Sequence, residues 1–162
     1  MYIYAPKIST ISGGYDSGSN NVAGLFVKSG WNNTRCSKYI VYFKDLSSLM
    51  TGAFCGGFVT NLVINNATPP TVSLYKDANG NQLAHQNLLI DVNGTSASIN
   101  SFIQNLWVPR AAISLYTADT YWSELSSRIH AIEDMPKVAT REQWDLLSDQ
   151  DKQNTLIEEY MN

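Results

Sequence analysis

The chain changes code near Tyr121, and that break limits what it can fold into. Ahead of it lie Ser, Thr, Asn, Gly and Tyr with few charges; behind it lies an acidic stretch patterned for helix. Residues 1–122 carry seven Lys/Arg and five Asp/Glu, while residues 123–162 carry four and nine, so the net charge of −3 resides in the tail. The length allows one core of ordinary size plus an appendage, because a single domain usually takes ~100–150 residues. Charged residues make up 15% of the chain, below the ~25% usual for soluble domains. Its surface is therefore built largely from hydroxyls and amides. A surface of that kind disfavours duplex DNA, which is held by Lys and Arg on phosphates, so no nucleic-acid partner is expected.

The body reads as β structure. Lys38-Tyr39-Ile40-Val41-Tyr42-Phe43-Lys44 is rich in β-branched and aromatic residues between polar turns, and Phe58 to Ile64 ends at Asn65-Asn66-Ala67-Thr68-Pro69-Pro70. Val22–Lys28, Thr71–Tyr75 and Leu88–Val92 are further strand candidates. Asn79-Gly80 is a hairpin signal because both residues tolerate positive φ. Turn signals recur about every ten residues, the spacing of a sandwich or barrel. Ser101–Val108 reads as helical turn or strand, and Ala111–Thr117 reads as the strand that closes the sheet, with Pro109 between them. No internal repeat is evident.

Past Thr117 the period changes. Trp122, Leu125, Ile129 and Ile132 fall at helical steps, with Asp119 or Thr120 as N-cap and Pro136 as terminator. Extended backwards, Leu115, Ala118, Trp122, Leu125, Ile129 and Ile132 follow the heptad rhythm of a coiled-coil seam. The same spacing also suits one amphipathic helix lying on its own sheet. Thr140-Arg141-Glu142-Gln143 has capping-box form, and Ser148 offers a second N-cap. The apolar residues of this acidic arm, Trp144, Leu147, Leu156, Ile157 and Tyr160, suit either packing on the body or docking in a partner's groove.

Catalytic constellations do not assemble in the sequence. Asp77, Asn79 and Asn81 begin a calcium-loop pattern, but Gln82 replaces its glycine and Leu88 its bidentate Glu. Cys36, Cys55, His85 and His130 lack metal-ligand spacing. Ser17 has no nucleophile elbow, and neither histidine is placed beside it by the sequence. Gly52, Gly56 and Gly57 are not followed by the Lys-Ser/Thr of a phosphate loop. No catalytic residue, cofactor or metal is therefore expected. Two cysteines in unrelated contexts suit reduced thiols of the cytosol. The first residues lack a secretory pattern, and no apolar run reaches the ~20 residues of a membrane span, so no membrane partner is expected. Exposed aromatics are the alternative source of function, and Trp31, between Gly30 and two Asn residues, is the candidate glycan platform.

Ala139-Thr140-Arg141-Glu142-Gln143-Trp144-Asp145-Leu146-Leu147-Ser148-Asp149-Gln150-Asp151-Lys152 resembles a short segment of tailed-bacteriophage virion proteins of the head-fibre, decoration and tail-fibre type. The resemblance implies a non-enzymatic virion structural protein, assembled in the host bacterial cytoplasm. Its partners would be other virion proteins and copies of itself in a trimer or ring. The expected architecture is mainly β: an antiparallel β-sandwich or jelly-roll-like body over residues 1–117, a connecting amphipathic helix over 118–135 and an acidic helical C-terminal arm over 136–162. Deleting residues 137–162 should then leave a folded body that no longer assembles. The alternative is a carbohydrate-binding or adhesin module.

Overall fold

The structure, a computed structural model, describes residues 2–11, 14–16, 21–23, 37–50, 53, 58–74, 79 and 103–161. Its centre is a five-stranded sheet built from β1 (Tyr2–Tyr4), β5 (Ser37–Phe43), β7 (Phe58–Ile64), β9 (Ile103–Val108) and β10 (Ile129–Ala131). They lie side by side in that order, and every neighbouring pair is parallel. A second parallel sheet joins β2 (Thr10–Ile11), β6 (Ser48–Met50) and β8 (Thr71–Ser73). A separate antiparallel pair, β3 (Gly14–Asp16) with β4 (Asn21–Ala23), stands outside both.

Spatial order repeats chain order in both sheets, so the chain winds as a coil that gives one strand to the large sheet and then one to the small sheet. The corners between the sheets also stack. Ala5 N donates to Tyr42 O at 3.0 Å, Asp45 N to Pro6 O at 3.0 Å and Ser47 N to Ser9 O at 2.8 Å; one turn later Asn65 N reaches Phe43 O at 2.9 Å and Thr71 N reaches Ser47 O at 2.9 Å. These bonds satisfy the backbone where the chain changes sheet, which loops would otherwise have to leave to water.

This arrangement overturns the antiparallel β-sandwich or jelly-roll-like body. Turn signals every ten residues are demanded as much by the corners of a parallel coil as by hairpins. The discriminating signal is the unbroken apolar run Ile40-Val41-Tyr42-Phe43, all fully buried, and Leu62-Val63-Ile64 with it. A strand buried on both faces reads this way, and parallel sheets covered on both sides are where such strands occur.

Alternation along each strand sends side chains to two cores. On the inner face the register lines up Ile3, Val41, Leu62, Leu106 and Ile129 across the five strands. Ile11, Leu49 and Val72 face them from the small sheet. On the outer face Ile40, Tyr42 and Val63 form a second cluster with Ile132, Met135 and Leu156.

Two segments differ from the expected elements. Residues 111–117 are not a strand: Arg110–Ala112 is a 3-10 turn that leads into α1 (Ile113–Ala118). Pro109 accepts the amide of Ala112 at 2.8 Å and starts the turn, and Ala112 and Tyr116, four residues apart, then face the core. No continuous helix spans 118–135 either. The Asp119 carboxylate accepts the amides of Tyr121 at 2.8 Å and Trp122 at 3.1 Å and begins a separate 3-10 segment, Trp122–Arg128, before β10 extends. Together these helical pieces lie where the fourth coil would put a small-sheet strand, and they close the inner core with Tyr116, Trp122 and Leu125.

Candidate functional site

The outer face of the large sheet, with the C-terminal arm seated on it, is the most elaborated polar and aromatic locus among the described residues. The arm consists of β11 (Lys137–Val138), α2 (Arg141–Asp145), α3 (Asp149–Lys152), β12 (Leu156–Ile157) and a 3-10 turn at Glu158–Tyr160. Both capping signals operate: Thr140 Oγ1 accepts the Gln143 amide at 3.4 Å, and Ser148 Oγ accepts the Asp151 amide at 3.2 Å. Gln143 Oε1 reaches back to the amide of Ala139 at 2.8 Å. Leu156 and Ile157 form a strand where helix was expected, pairing in parallel with Lys137 and Val138. Thr140→Ala and Ser148→Ala should each cost ~1 kcal/mol, read as a shift in the urea midpoint at unchanged slope.

The docking set is placed internally. Trp144, Leu156 and Ile157 are buried, and Leu147 and Tyr160 are half-buried. Tyr160 stacks on Tyr4 with ring centroids 4.6 Å apart, and Tyr2 meets Trp144 edge-on at 5.6 Å. The Trp144 indole N–H donates to Thr155 O at 3.0 Å, while Arg141 lies 4.8 Å and Lys152 5.5 Å from the ring centroid. The arm that leaves β10 at one edge of the sheet thus reaches β1 at the other, over its own body.

The six seam residues do not share a stripe. Trp122 and Leu125 are in the inner core, Ile132 is in the outer one, and Ile129 is a strand residue paired with Leu106. Leu115 and Ala118 point to solvent from α1, Leu115 at 49% exposure. Trp31, Ser17, Cys36, Cys55 and His85 lie outside the described residues, as does the Asn79-Gly80 turn apart from Asn79. His130 is half-buried on β10, its ring 4.9 Å from that of Trp107. Glu124 has one carboxylate oxygen buried without a hydrogen bond, and burial alone raises its pKa. No cluster of three His, Cys, Asp or Glu side chains that could hold a metal occurs among the described residues, and among them no helix is long and apolar enough to cross a membrane.

Asn61 is the residue that pattern reading missed. It is fully buried in the middle of β7, and all four of its side-chain hydrogen-bonding positions are used. Its Nδ2 donates to the carbonyl of Gln153 and, at 3.2 Å, to Asn154 Oδ1. Its Oδ1 accepts from Asn105 Nδ2 at 3.2 Å and from the Trp107 indole at 2.6 Å. An Asn inside the apolar run Val59–Ile64 was the available signal, since Asn is depleted in strands.

Burial also marks three tyrosines. It holds the Tyr2 and Tyr116 hydroxyls well above the ordinary phenol value of about 10, and it raises Tyr42 despite the hydrogen bond from Asn65. Because the folded state keeps the proton more tightly, the associated stability is complete below the unfolded value. It is lost as pH rises past about 10, where only the unfolded chain releases its phenol protons. Tyrosinate absorbance followed with circular dichroism should show a subset of the nine tyrosines ionising only as structure is lost. Smooth titration of all nine with the fold intact would contradict this. Comparison with known proteins finds no matching protein family, curated protein or solved structure.

Proposed function

We propose that this chain is a non-enzymatic structural module: a short parallel coil that carries its own end-piece and acts through its outward surfaces in an assembly. The observation that carries the reading is the way the winding ends. After β9 the small sheet is replaced by α1 and the 3-10 segment, which close the inner core where the winding ends, and the arm covers the outer face of the large sheet, so both apolar faces are buried by the chain itself. Stacked coils bury a continuous core only with neighbours on both sides, and their terminal units need such closure to stay soluble. Asn61, the buried amide of the outer face, uses its nitrogen to hold the arm.

A virion setting, with self-assembly into a trimer or ring, is the context drawn from residues 139–152. That segment is also accounted for by its local work, the two helix caps and the seating of Trp144, and the module reading therefore rests on the coil and its closure. Leu146 on the arm, 87% exposed, and Leu115 on α1 are the most exposed large apolar side chains among the described residues, and these are the contacts offered to a second copy. Light scattering should give a defined oligomer that Leu115→Glu with Leu146→Glu dissociates, without moving the unfolding midpoint measured at a dilution where the parent is monomeric. A chain that is monomeric at every concentration, or an oligomer indifferent to both changes, would overturn self-assembly through this surface.

A further inference from the structure

We infer that the C-terminal arm is a preformed clasp that opens and closes on the sheet as one piece, with Asn61 as the pin that fixes where it seats. The first ground is that the arm is bonded mainly to itself. β12 pairs with β11 and with no strand of the large sheet. Leu156 N donates to Pro136 O at 2.8 Å, Glu159 N to Ala139 O at 3.1 Å and Thr155 Oγ1 to Asp151 O at 2.8 Å. With its two side-chain caps and the Trp144 to Thr155 bond, the arm meets most of its own backbone needs, the Gln153 carbonyl on Asn61 being the exception.

Its contacts with the sheet are of another kind. Leu156 enters the outer cluster, three ring contacts join Tyr2 and Tyr4 to Trp144 and Tyr160, and Asn61 supplies the polar tie. Apolar burial is non-directional. It attaches the arm but does not choose among small slides along an apolar face. The Asn61 amide does choose, because it needs an acceptor at the C-terminal end of α3, where helix carbonyls lack intrahelical partners. A slide of one residue would leave the buried amide and the Gln153 carbonyl without each other, and each unmet group is costly. Pro136, exposed and without an N–H, stands between the last turn of the body, Ile132–Asp134, and β11. It is the place where the unit can pivot without breaking a donor of its own.

Thiol labelling of the native chain separates the clasp from a merely fixed tail. With Cys36 and Cys55 replaced by alanine, Val63→Cys reports the outer face under the arm, and Leu62→Cys reports the inner core next to it. The clasp predicts that Cys at 63 reacts faster than Cys at 62. It also predicts that Asn61→Leu accelerates reaction at 63 by about tenfold more than at 62, because the bonds lost to Asn105 and Trp107 weaken the sheet at both positions while the bond lost to the arm acts at 63 alone. Equal rates at the two positions, or an equal acceleration of both by Asn61→Leu, would mean that the arm leaves only when the whole chain unfolds, and would overturn the inference.

Discussion

A chain ending at Pro136 should keep its inner core, to which the arm contributes no residue, but fold with greatly reduced stability. The deletion takes away Trp144, Leu156 and Ile157, all buried, and fully burying a side chain of this size is worth ~1.5–3 kcal/mol. The loss is therefore on the order of 5–9 kcal/mol before the surface left behind is considered. Ile40, Tyr42 and Val63 would then face water from the centre of the sheet, and Asn61 would lose both of its acceptors on the arm. A domain is stable by only ~5–15 kcal/mol in total. Circular dichroism with urea should show a transition moved to much lower urea than the parent's, and light scattering should show aggregates formed through the bared face. The sequence reading, in which the arm is an appendage, expects a folded body that has merely lost assembly. A sharp transition at the parental midpoint for residues 1–136 would restore that reading.

The two expectations part because amphipathic spacing reveals that a segment has an apolar side but not which surface it meets. Trp144, Leu156 and Ile157 were legible as apolar residues of an acidic arm. Their destination depended on Tyr2, Tyr4 and the outer face of β5 and β7, 80 or more residues earlier in the chain. The caps at Thr140 and Ser148 were legible for the opposite reason. Each is decided within four residues, and each forms as the local code states.

Strands β5 and β7 were readable almost to the residue, since β-branched and aromatic runs between polar turns are local too. Their mutual direction was not. Parallel and antiparallel neighbours draw on the same residue types, and the clue that separates them, burial on both faces in Ile40–Phe43, is easily taken for one strongly hydrophobic strand. Residues 111–117 show a related confusion. Ile113 and Leu115 alternate as in a strand, but the core is met by Ala112 and Tyr116, so the informative period was four, and Pro109 with Arg110-Ala111-Ala112 was a helix start. The heptad spacing through Trp122 failed because Asp119 interrupts it: a short carboxylate that accepts two successive amides ends one helical piece and begins another.

Trp122 is where the failed seam and the real core can be told apart. Its side chain is fully buried, its ring meets Tyr116 edge-on at 5.5 Å, and its indole N–H donates to the carbonyl of Pro70 at 2.9 Å. That bond ties the closing 3-10 segment to the corner before β8, fifty residues away in the chain. Trp122→Ala should destabilise the chain by ~3–5 kcal/mol, the range for emptying a large aromatic site in a core. Trp122→Phe keeps most of the volume but orphans the Pro70 carbonyl, and should cost ~1–3 kcal/mol. Urea denaturation at a concentration below any self-association gives both values. If Trp122 instead packed against another copy, the cost would depend on protein concentration, because oligomer stability follows mass action. The core placement predicts the same loss at every dilution. A loss that vanishes on dilution would return Trp122 to an intermolecular seam and require α1 and the 3-10 segment to rearrange.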